Sequence, residues 1–198
     1  MTRIAVALIE GISAYSQSRD HDTSKLDKEG PDEYDQRTWR ERAHYDPETR
    51  ICEIPGMAFK MAMADAAKRM QVRIPGKGKS TYTKNFLSGL IVPENPSLGV
   101  SVDDAFCEVV NCHSNGIRGS GSRVKRRFPM FKRGWQVEVQ FMVIDDEIPQ
   151  DLFMQVLKEA GNLIGVGRFR PQNGGYLGRF RVRAINWSEQ AEDWDMAA

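Results

Sequence analysis

WQVEVQFMVIDDEIPQDLFMQVLKEAGNLIGVGRFRPQNGGYLGRFRVRAI, residues 135 to 185, carries the reading of the fold. From Trp135 to Ile144 the residue types alternate. Trp135, Val137, Val139, Phe141 and Val143 fall on one side, and Gln136, Glu138 and Gln140 on the other. Successive side chains of a strand point to opposite faces, so this pattern predicts a half-buried strand. A turn at Asp145–Asp146 leads to a helix over 149–160, opened by Pro149 and followed by Gly161, as helix termini prefer. A glycine-rich loop comes next, and Leu177 to Ile185 reads as a second strand.

Working outward, the first half repeats this order more loosely. Arg3 to Ile9 is an apolar, β-branched run of strand length. Residues 56–70, GMAFKMAMADAAKRM, space apolar residues at helical intervals, with Met57, Met61 and Met63 as core filler. Arg50 to Ile54, Asn85 to Val92 and Ala105 to Cys112 read as strands, the last two joined by a loop with Pro93 and Pro96. Two βαβ halves predict an α+β, ferredoxin-like or RRM-like fold, with helices packed on an antiparallel sheet. The expected organisation is one domain over 1–198 with long polar insertions. Residues 11–50 form a polar insertion holding a short helix around Asp32 to Arg42. Residues 113–134 form a basic flexible arm, and 187–198 an acidic tail.

Composition excludes more than it identifies. With 40% hydrophobic and 28% charged residues, the 198-residue chain can bury a core and stay soluble. No stretch approaches the roughly 20 apolar residues of a membrane helix, so no membrane contact is expected. The opening MTRIAVALIEG lacks a cleavage-type site and does not read as a signal peptide. Cys52, Cys107 and Cys112 are too few for a disulfide framework, which points to a reducing, cytoplasmic compartment, a bacterial host cell if the chain is phage-encoded. GKGKST at 76–81 fails as a phosphate loop, because Arg73 stands where the first glycine is required and a helix precedes it. His113 with Cys107 and Cys112 is too sparse for a metal site, and neither a cofactor nor a catalytic constellation is expected.

Charge is more informative. The net charge is only +1, yet residues 19–53 hold eleven acids against seven bases, while three other segments are acid-free and basic. The first contains Lys77 and Lys79. The second, around Arg118, Arg123, Lys125, Arg126, Arg127, Lys132 and Arg133, is interleaved with Phe128 and Phe131. The third is the glycine-rich loop, where Gly161, Gly165, Gly167, Gly174, Gly175 and Gly178 alternate with Arg168, Phe169, Arg170 and Tyr176. Arg179, Arg181 and Arg183 then sit two apart, on one face of the final strand, with Phe180, Val182 and Ala184 on the other. Like charges in a row repel, and a polyanion relieves them. Glycine permits close approach and leaves N–H groups able to hold anions. Together these segments predict one positive face that grips a nucleic-acid backbone while Phe, Tyr and Arg planes stack on bases.

The loop GVGRFRPQNGGYLGRF before a final strand, and IPGMAFKMAMADAA at 54–67, resemble the repeat-associated (RAMP) proteins of CRISPR effector complexes. The chain also looks like a bacteriophage accessory protein built on that fold. The resemblance implies binding to a single strand, with subunits polymerised along it. It carries Gly165, Gly167, Gly174, Gly175 and Gly178 and the arginines around them over as strand contacts. The function expected is therefore non-catalytic single-strand binding, with DNA favoured over RNA, in phage replication or recombination or in a CRISPR-like complex, by a homo-oligomer. Two alternatives stand. One is a phage structural or host-defence-inhibiting interaction protein. The other is a metal-independent RNA endonuclease using His21, His44 or His113.

Overall fold

The computed structural model describes residues 2–114, 119 and 121–190. Its elements are β1 (Thr2–Gly11), β2 (Tyr15–Ser16), α1 (Pro31–Thr38), β3 (Ile51–Glu53), α2 (Gly56–Met70), α3 (Thr83–Ser88), β4 (Leu90–Ile91), β5 (Ser97–Ser101), β6 (Phe106–His113), β7 (Arg123–Phe131), β8 (Gln136–Val143), α4 (Gln150–Glu159) and β9 (Phe180–Gln190). Four strands form the main sheet in the order β4-β8-β1-β9, each antiparallel to its neighbour. With α2 between β1 and β4 and α4 between β8 and β9, this is the ferredoxin-like order the sequence predicts.

Alternation in β8 does what its sequence says: Val137, Val139, Phe141 and Val143 are buried while Gln136, Glu138 and Gln140 are exposed. On β1, Ala5, Ala7 and Ile9 are fully buried. Ala62, Ala66 and Ala67 of α2 are buried as well. Phe153 of α4 meets Phe141 edge-on at 5.4 Å and Trp187 at 5.1 Å, and Phe59 of α2 meets Phe180 at 5.7 Å. These contacts form one hydrophobic cluster that extends under the second sheet through Tyr15, Phe131 and Trp135.

Several expectations are corrected. Over 85–92 the chain forms α3 and only a two-residue β4. Asn85 to Ile91 is a short apolar run that strand and helix patterns share, and burying Phe86 decides for the helix. Residues 123–131 are not a flexible arm but strand β7, paired with β6 along its length and with β2 at Tyr15 and Ser16. Phe128, Met130 and Phe131 are buried there, which overrides the charge around them. On β9 the alternation changes phase, because a bulge between Leu8 and Ile9 of β1 leaves Arg183 as the extra residue. Beyond it Ile185 and Trp187 pack on the core and Ala184 is exposed, opposite to the expected alternation. Arg118 and residues 191–198 of the acidic tail lie outside the described residues. Among the described residues no helix is long and apolar enough to cross a membrane.

The polar segment 11–50 is stitched into the second sheet by a buried ion pair. Arg42 Nη1 donates to Asp35 Oδ1 at 2.6 Å and to the carbonyl of Arg127 at 2.7 Å, while Asp35 Oδ2 accepts the Arg127 N–H at 2.8 Å. Both side chains are less than a tenth exposed. Removing one partner strands a buried charge. Asp35→Ala should therefore cost about 3–5 kcal/mol in urea unfolding, and Asp35→Leu with Arg42→Met should recover most of it.

Candidate functional site

The glycine-rich loop, residues 165–178, is a self-bonded scaffold. Gly165, Gly167, Gly174 and Gly178 take positive φ. A Cβ on Gly178 would lie 1.8 Å from the Val166 carbonyl oxygen, and one on Gly175 1.8 Å from that of Phe169. Glycine is required at both because chain packs on chain. Several loop N–H groups are turned inward: Val166 donates to Gly178, Arg168 to Ser16, Gly175 to Arg170, Leu177 to Phe169 and Gly178 to Ala14, at 2.7–3.1 Å. Close packing of the loop uses these amides, so they are not the ones free to hold an anion. What the loop presents instead is side chains.

Arg168 is the centre of that presentation. Its guanidinium lies 3.8 Å from the centroid of the Phe128 ring and 5.1 Å from that of Phe169, and the two rings meet edge-on at 6.1 Å. Phe169 itself holds φ +51, a left-handed geometry that the Leu177 N–H to Phe169 carbonyl bond helps fix. Arg42 approaches the Phe128 ring at 5.6 Å. Burial, joined by the nearby charges of Arg42 and Arg126, lowers the Arg168 pKa, although a guanidinium stays protonated. The Nε atoms of Arg168 and Arg170 are buried without a hydrogen-bond partner, and neither guanidinium has an acid within ion-pair distance among the described residues.

Around Arg168 opens a cleft of about 570 Å³ between the loop and the β6–β7 hairpin. Phe169, Asn173, Gly174 and Gly175 line it from the loop, and Asn111, Cys112, His113, Ser114, Arg126 and Phe128 from the hairpin, with Ser18 and Arg42 at the back. His113 Nε2 accepts the Gly119 N–H at 3.1 Å, and its Nδ1 is buried without a partner. A smaller opening of about 270 Å³ shares Ser18 and Arg168 with the cleft and adds Arg170, Gln17 and His44. Arg168 and Ser18 thus face both openings.

The second and third basic segments of the sequence thus meet, through Arg126, Phe128, Arg168, Phe169, Gly174 and Gly175, with Arg170 alongside. Others lie elsewhere. Lys77 pairs with Glu147 beyond the end of β8, and Lys79 shares that turn, at the sheet end where Arg3 meets Val143. The loop lies at the other end, so the single positive face expected from all three segments is corrected to two of them. Arg127 is committed to Asp32 at 2.9 Å and Asp35 at 3.3 Å, and its guanidinium holds the Asp32 carboxyl below the usual range. Arg181 and Arg183 share Glu10 of β1, whose carboxyl they hold low, so the arginine row is relieved by a neighbouring strand without any polyanion. Arg179 donates to the carbonyl of Asn162.

Arg123 is exposed on β7, and Lys125 lines a separate opening against α1. Lys132 and Arg133 rim an apolar cleft of their own, and Tyr176 is 70% exposed. Gly165, Gly167 and Gly178 serve loop packing. Arg42, Ser18 and Asn111 belong to the cleft without having been legible as contacts, and His113, a candidate base for RNA cleavage, lies there too. Arg42 sits in an acid-rich segment, and no local pattern marks it.

No family model matches the sequence, and no curated protein matches it. Solved structures do. Over 96% of its length the chain aligns with a chain in the cryo-EM structure of the type III-B Cmr-beta bound to cognate target RNA, with a TM-score of 0.52 and 14% identity. It spans 62% of that chain. Over 92% of its length it aligns with Cmr6 from Pyrococcus furiosus, covering 99% of that chain, with a TM-score of 0.49 and 12% identity. The first likeness is one of fold. The fold is shared.

Burial, with a smaller contribution from Arg19, lowers the pKa of His44 below the ordinary histidine value. The folded state thus prefers the neutral imidazole, and stability present at neutral pH is lost as pH falls below that value. Thermal unfolding of His44→Gln should accordingly vary less between about pH 7 and pH 5 than that of the unmutated chain.

Proposed function

We propose that this protein is a non-catalytic holder of single-stranded nucleic acid, binding the strand along the cleft between the glycine-rich loop and the β6–β7 hairpin. The observation that carries this reading is Arg168: a half-buried guanidinium stacked on Phe128, with no acid partner among the described residues, on the floor of an open cleft that also receives Arg126 and Arg42. A cation kept from acids and held against aromatic rings in an open cleft is suited to a phosphate. The aromatic rings beside it offer planes for a base.

The ligand favoured is RNA. Sequence alone inclines to single-stranded DNA in a phage setting, but the fold neighbour of TM-score 0.52 comes from a structure bound to target RNA, and that supports RNA. Side-by-side subunits along the strand, in a CRISPR-like complex, complete the proposal.

Fluorescence anisotropy with labelled oligo-U, oligo-dT and duplex DNA, at about 50 and 200 mM salt, tests it. Oligo-U should bind tightest, and affinity should fall steeply with salt. Arg168→Gln should weaken binding about tenfold and reduce the salt slope by about one, while Lys77→Gln with Lys79→Gln should leave both unchanged. Absence of binding at low salt would overturn the reading. Cleavage of the RNA that His113→Ala abolishes would replace it with an endonuclease.

A further inference from the structure

A second opening, of about 330 Å³, lies apart from the Arg168 cleft and is of different chemistry. Leu98, Val100, Met130, Phe131 and Trp135 line it, and Phe106, 40% exposed, stands at its mouth. Its rim carries exposed Lys132 and Arg133 and one acid, Asp104. Lys132 Nζ stands 5.9 Å from the centroid of the Phe106 ring, and among the described residues neither rim cation has an acid within ion-pair distance. An apolar floor with a mainly basic rim suits an aromatic side chain flanked by acids.

Of the stretches with an aromatic residue set between acids, Asp32 to Asp35 around Tyr34 is folded into α1, with Asp35 on Arg42 and Asp32 on Arg127. Residues 191–198, AEDWDMAA, place Trp194 between Glu192, Asp193 and Asp195 with no base among them. Its own cleft is out of reach. Gln190 pairs with Thr2 at one end of β1, whereas Gly11 at the other end exchanges backbone bonds with Gly134 and Trp135 of the cleft. Nine strand steps separate those ends by about 30 Å. Trp194, four residues beyond Gln190, extends at most about 14 Å.

We propose that this opening receives the 191–198 segment of a second copy of the chain, with the Trp194 indole in the cleft and the acids at Lys132 and Arg133. Groove and inserted segment are different surfaces, so the contact is heterologous and adds copies in one direction. It requires no nucleic acid and stands independently of the Arg168 cleft.

Sedimentation velocity of the full chain, free of nucleic acid and over a concentration series, tests this. The average mass should rise with concentration and fall with added salt. Trp194→Ala and the double variant Lys132→Glu/Arg133→Glu should each weaken self-association by about tenfold or more. Mixing the two should restore pairs but nothing longer, because one supplies an intact cleft and the other an intact acidic segment. That rescue also shows both variants to be folded. A monomer at every concentration would overturn the proposal, as would oligomers that Trp194→Ala leaves unchanged.

Discussion

The carboxylate of Asp35 holds the functional end of this molecule together. It accepts from Arg42 and from the backbone and side chain of Arg127, while Arg42 also donates to the Arg127 carbonyl. Two charges out of water are a poor source of stability unless nearly every donor and acceptor is met. Here the β7 backbone supplies the remaining partners. The consequence is positional: Phe128 follows Arg127, and Arg42 stands over its ring from the polar segment as Arg168 does from the glycine-rich loop. Three stretches far apart in sequence thus converge on one phenyl ring.

Electrostatic partition then decides what the surface can do. Arg127, Arg181, Arg183 and Lys77 are satisfied by acids of the same chain, and exposed pairs of this kind contribute little to stability. Their importance is that they withdraw charge from the outer surface. Arg168 is treated differently. The loop delivers it by packing backbone against backbone, and its neighbours are cations and aromatic rings rather than carboxylates. A protein with a net charge of +1 can therefore carry a locally strong positive cleft.

Much of the fold was legible because its signals are periodic. The alternation from Trp135 to Ile144 and the alanine-rich helical spacing of 56–70 are properties of short windows, and both elements formed where those windows lie. The segment around Phe128 was misread because its charge masks the residues that bury; cross-strand pairing with β6, not local composition, makes it a strand. The phase change in β9 depends on a bulge against β1, which no property of residues 180–190 alone records. At the site, Arg168 and Phe128 were visible as charge and aromatic content. That Glu10 satisfies Arg181 and Arg183 was not, since the partner comes from a strand 171 residues away in sequence.

Crosslinking tests whether a single strand runs past Arg168. Single-stranded RNA carrying photoactivatable thiouridine would be irradiated with the full chain and the attached peptides mapped by mass spectrometry. Attachment is expected at Phe128, Phe169 and His113, side chains that line the cleft. Attachment confined to Lys77 and Lys79, or to Arg181 and Arg183 on β9, would contradict it.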